Sequence, residues 1–89
     1  MYSVLQYTKR QAKKIGVTVK PSSNPEKKLD VFDNGDKVAS IGDINFSDYP
    51  HYLRDKGKTV ADERRRLYHL RHKKGKKGSA AYYASVLLW

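Results

Sequence analysis

The sequence predicts a small single-domain α+β fold, and three observations carry that prediction. An Asn-Gly pair stands between two short apolar-rich runs, which is the signal of a tight β-hairpin. Four other stretches carry helix periodicity with start or stop residues of their own. The chain has 89 residues, enough for one modest core and no more. Residues 1–28 read as a basic N-terminal helix and loop, and residues 29–89 as the hairpin and remaining helices of the same domain.

The first helix is expected over Ser3–Ile15. Ser3 and Gln6 have capping-box spacing, and Gly16 stands where a left-handed C-cap is needed. Leu5, Thr8, Ala12 and Ile15 share one face, leaving Lys9, Arg10, Lys13 and Lys14 on the others. Val17-Thr18-Val19 is β-branched and available as a third strand. Pro21–Pro25 is a loop by composition. Leu29–Phe32 and Lys37–Ile41 then flank Asp33-Asn34-Gly35-Asp36, whose central pair tolerates positive φ at both positions of a type I′ turn. Ser47 or Asp48 opens a brief helix with Pro50 in its first turn, ending near Lys56-Gly57. Ser79 opens a last, apolar helix from Ala80 to Leu88.

Between these two lies the most basic stretch, Thr59–Lys77, which reads as a helix running into a short basic tail. Thr59 is the expected cap, with Asp62 at the capping-box position and Arg71, Lys73 and Lys74 at the opposite end of the dipole. At about 100° per residue, Val60, Ala61, Leu67, Tyr68 and Leu70 occupy one half of the circumference. Arg64 and Arg71 fall within that half. A buried guanidinium needs a partner, so structural ion pairs are expected between Arg64 or Arg71 and Asp30, Asp43 or Asp48. Arg65, Arg66, His69, His72 and Lys73 fall on the other half. With Lys74, Lys76 and Lys77, they form the expected contact set for a partner or for phosphate.

Net charge is +10, and it is arranged in blocks. Residues 1–28 sum to +6, residues 29–55 to −4 and residues 56–89 to +8. The surplus points to a polyanionic partner, nucleic acid or an acidic protein surface. There is no cysteine, which excludes disulfides and thiolate metal sites. His69 and His72 share a helix face, but Arg65, Arg66 and Lys73 surround them, and no metal site is expected. No nucleophile motif, phosphate loop or paired-carboxylate motif is present, so the protein is expected to be neither an enzyme nor a cofactor carrier. A nuclease built on His51 or His69 has no signature behind it. The N-terminus does not read as a signal peptide. The apolar C-terminal run AAYYASVLLW is half the length of a membrane span.

The ordered segments DVFDNGDKVASIGD, SDYPHYL, DERRRLYHLRHKK and GSAAYYASVLLW resemble a family of small basic proteins of large nucleocytoplasmic double-stranded DNA viruses, of the chlorella-virus type. The resemblance covers roughly Lys28–Trp89. By match, Arg64, Arg65, Tyr68, Arg71 and His72 are the family's helix residues, and Trp89 is its terminal aromatic. A viral setting offers a small basic protein two homes. The first is the virion capsid, as a minor capsid or cement protein made in the host cell and seated among major or other minor capsid proteins. The acidic middle and the aromatic C-terminus favour this home, with Tyr82, Tyr83, Leu87, Leu88 and Trp89 as the expected protein interface. The alternative is sequence-nonspecific DNA binding or packaging, with the basic helix on phosphates.

Overall fold

A computed structural model describes residues 2–89. The elements run α1 (Gln6–Ile15), β1 (Thr18–Pro21), β2 (Lys27–Asp33), β3 (Asp36–Asp43), α2 (Tyr49–Lys56), α3 (Lys58–Arg71) and α4 (Ala80–Leu87). The strands form one antiparallel sheet in the order β1-β2-β3. The fold is therefore the expected α+β domain, with the third strand present.

The hairpin forms as its turn chemistry dictates. Asn34 and Gly35 both have positive φ, at 53° and 84°, the type I′ geometry that matches strand twist. Register then places Leu29 opposite Ile41 and Val31 opposite Ala39, slipping between Val31 and Phe32. Side chains alternate along a strand, so Leu29 and Val31 enter the core while Lys28 and Asp30 point away from them. All four are nevertheless buried, and the two charged residues need internal partners.

Helices α1 and α4 cover the sheet. Leu29, Val31, Ile41, Ala12, Leu87 and Leu88 form the centre of the core, with Tyr83 beside them. Thr8 is fully buried, and its hydroxyl donates to the Leu87 carbonyl at 2.9 Å. Gln11 donates to the Val86 carbonyl at 3.2 Å. Together they satisfy carbonyls that the end of α4 leaves open. At Gly42 (φ 80°), an added Cβ would lie 2.8 Å from Leu88 Cδ1 and 2.9 Å from Lys28 Cδ. The bare backbone there lets the end of α4 settle on the sheet.

Caps decide the helix boundaries, and two differ from expectation. Helix α1 begins at Gln6 behind Leu5, with no side-chain cap, so the Ser3–Gln6 box does not form; Gly16 does close it in the left-handed region. Helix α3 starts after Gly57, not Thr59. Gly57 (φ 90°, ψ 172°) joins α2 to α3 in a single residue, a conformation open essentially to glycine alone. Asp62 leaves the capping role because the Tyr49 hydroxyl (3.0 Å) and Lys58 Nζ (2.6 Å) hold it. Asp48 and Ser79 cap α2 and α4 as expected, accepting from the His51 and Tyr82 amides. Helix α3 ends at Arg71, and residues 72–78 are irregular.

Candidate binding cleft

Helix α3 leans on the rest of the fold through few side chains, and it leaves a cleft of about 590 Å³ beside it. Arg64, Tyr68 and Arg71, spaced i, i+4, i+7, share the face that lines the cleft. Opposite them are Gly42, Asp43, Phe46 and Leu88, while Tyr52 of α2 and Trp89 complete the wall. The Tyr68 ring lies parallel to Trp89, with centroids 4.6 Å apart and planes within 7°. His72 also stacks on Tyr68, at 4.5 Å and 23°. Tyr52 is 6.2 Å from Trp89, and the Arg64 guanidinium stands 5.6 Å over the Tyr52 ring. Phe46, in the loop after β3, is 71% exposed. The cleft thus combines planar aromatic surface with cations.

The structural ion pairs expected of the arginines do not form. Neither Arg64 nor Arg71 has a carboxylate within 4.0 Å among the described residues; both are exposed, and Arg64 rests on Tyr52 instead. The three aspartates are engaged elsewhere. Asp43 accepts from the Asn45 amide at 2.9 Å, closing its own turn. Asp30 accepts from the Ser22 and Ser40 hydroxyls, each at 2.6 Å, with Lys37 at 3.8 Å. Those serine bonds, Ser22 first, hold its carboxyl down at about 2.

Asp48 gathers the most partners. It accepts from the Tyr2 hydroxyl (2.6 Å), Lys28 Nζ (3.0 Å) and the His51 amide (3.1 Å), with His51 Nδ1 at 2.8 Å. Burial pushes its carboxyl up, but Lys28, Tyr2 and His51 outweigh that effect and hold it below the usual range. Burial, then donation to Asp48, pushes the Tyr2 phenol up. This cluster ties the N-terminal segment, β2 and α2 together, and it occupies His51. Lys28 reaches the cleft wall already neutralised.

The expected contact set divides. Arg65 belongs to the fold: its guanidinium lies 3.7 Å from the Tyr49 ring centroid and donates to the Tyr7 hydroxyl at 3.0 Å. Arg66 is exposed but pairs with Glu63 at 2.6 Å. His69 meets Tyr68 edge-on and lines a second groove, of about 380 Å³, with Lys74 and Trp89. Lys73, Lys76 and Lys77 are exposed in the irregular tail, and Lys74 stands 5.7 Å over Tyr82. Leu70, expected in the apolar half of the helix with Val60 and Leu67, is 71% exposed, because α3 packs chiefly on α2 and turns that side outward. Among the described residues, no three His, Asp or Glu side chains gather as a metal ion would require.

The expected C-terminal interface is a core. Leu87 and Leu88 are at most 1% exposed and Tyr83 is 6% exposed, so the fold itself covers these three, and of them only Leu88 borders the cleft. Tyr82 and Trp89 are half-buried, and only Trp89 reaches the cleft. Phe46 was not singled out by the sequence. A lone phenylalanine between Asn45 and Ser47 carries no periodicity, and only the turn chemistry around it could have marked it as solvent-facing. Compared with known proteins, the chain matches no family model, no curated protein and no solved structure. No helix is long and apolar enough to cross a membrane among the described residues.

Proposed function

We propose that this protein is a non-enzymatic, sequence-nonspecific nucleic-acid-binding protein. One observation carries the reading: only five of the nineteen lysines and arginines, namely Lys28, Lys37, Arg54, Lys58 and Arg66, stand in ion pairs among the described residues. Lys9, Arg10, Lys13 and Lys14 of α1, with Arg71, Lys73, Lys74, Lys76 and Lys77, are exposed. Gln11 and Ile15 of α1 line the same groove as Lys74, so the C-terminal half of α1 and the tail lie side by side. Unpaired cations spread over neighbouring elements suit a run of phosphates better than one acidic side chain. Replacing Lys73, Lys74, Lys76 and Lys77 together by glutamine should lower affinity for a mixed-sequence duplex on the order of a hundredfold at low salt. Thermal stability should not move, since the four are exposed. Unchanged affinity would end the proposal.

A second reading is a structural role in a virion shell, as a minor capsid or cement protein among capsid proteins. The resemblance to viral proteins supports it, as do Phe46 and Leu70, each 71% exposed. The apolar C-terminus no longer does, because the fold itself uses it. Fractionating purified particles into shell and core separates the two readings: a shell protein stays with capsid, and a nucleic-acid binder follows the genome.

A further inference from the structure

We propose that the aromatic cleft beside α3 binds an unpaired nucleobase and its flanking phosphates, so that the protein prefers single-stranded over duplex nucleic acid. This rests on the nucleic-acid reading above and specifies the form of ligand. Three observations carry it.

The cleft lining is unusual for a surface this polar. Tyr52, Tyr68, Trp89 and Phe46 meet there, and Phe46 leaves most of its ring to solvent at the rim. An exposed ring such as Phe46 costs free energy in water, and every base offers a planar face to cover it beside the half-buried rings of Tyr52, Tyr68 and Trp89. The charges are complementary to the same ligand. Arg64 and Arg71 stand on the helix side without carboxylates, while Asp43 is on the sheet side. Phosphates are therefore favoured along α3 and disfavoured across from it, which gives a bound strand one side to run on. The volume, about 590 Å³, lies in the range of sites that enclose a small ligand.

A duplex cannot use this cleft, because its bases are stacked inward and only phosphates and groove edges reach a protein. An acidic peptide would satisfy the arginines and leave the exposed Phe46 ring uncovered. A base with its phosphates answers both halves of the lining.

Trp89 is the only tryptophan and lines both the cleft and the second groove, so its fluorescence reports binding at either, and Phe46→Ala, which lies in the cleft alone, assigns the signal. The test titrates the protein at low salt with a twelve-residue deoxythymidylate strand and, separately, with a mixed duplex of equal length. The expected result is saturable quenching by the strand, with affinity about tenfold or more above the duplex. Phe46→Ala and Arg71→Ala, both exposed positions, should each weaken strand binding roughly five- to thirtyfold while duplex binding to Phe46→Ala is unchanged. Equal affinities, absent quenching or an inert Phe46→Ala would overturn the cleft proposal and leave duplex binding standing. Stronger quenching by an acidic tyrosine-containing peptide than by the strand would assign the cleft to a protein and overturn it as well. Failure of both nucleic acids to bind would remove the broader reading too.

Discussion

Asp48 and Asp30 show how this small domain keeps charges inside. The Asp48 and Lys28 side chains are 1% and 5% exposed, a pairing that stabilises only while both members are present. Asp48→Asn would leave the Lys28 ammonium buried without its counter-charge. It should cost about 3 kcal/mol or more, read as a lower urea midpoint. Asp30 makes the matching acid prediction. Its folded carboxyl sits at about 2, below the ordinary value of 3.8, so its contribution is complete above the ordinary range and lost as pH falls through the folded value. Urea midpoints should therefore drop between about pH 5 and about pH 2. Ser22→Ala with Ser40→Ala should shrink that drop and close the window from its low-pH end, because the folded carboxyl returns toward its ordinary value. A midpoint flat over this window would mean the serine bonds do not hold the carboxylate.

What was legible in the sequence was what is decided locally. Asn34-Gly35, Gly16, Asp48 and Ser79 act through their own backbone neighbourhoods, and each stands where its chemistry required. Arg64, Arg65 and Arg71 were misplaced because a helical projection shows which residues share a face but not what that face meets. Arg65 looked outward until Tyr49 and Tyr7, from two other elements, came to cover it. The aspartates held in reserve for the arginines had nearer partners, in Ser22, Ser40, Tyr2 and Lys28.

At the scale of elements, α3 is the loosely held part. Ala61 is its one buried residue, Gly57 is its only covalent spacer from α2, and its far end is pinned by Tyr68 on Trp89. The sheet with α1 and α4 holds most of the apolar core. Local openings cost least where few apolar contacts break, so α3 should open before the sheet does. Trp89→Ala should speed amide exchange in the C-terminal half of α3 severalfold while β2 amides stay protected. Equal acceleration in β2 would show that α3 and the sheet form one cooperative unit. The same loose attachment creates the cleft, since a helix packed fully onto the sheet would have buried Phe46, Tyr52 and Tyr68 together.

For the whole molecule, the decisive feature is how the +10 net charge is divided between fold and surface. Of the middle block's aspartates, Asp30 and Asp48 are buried and Asp48 neutralises Lys28, while Asp33, Asp36, Asp43 and Asp55 are exposed and none stands in an ion pair with a cation of α1 or the tail among the described residues. The basic ends come together where α1 and the tail border the second groove, and Trp89 is shared between that groove and the aromatic cleft. Binding that rests on this surface must release counterions. The most direct measurement is the affinity for nucleic acid across a salt series. The account predicts a linear fall of log affinity with log salt, with a slope of about −4 or steeper on duplex. A slope near zero, or no binding at low salt, would contradict it.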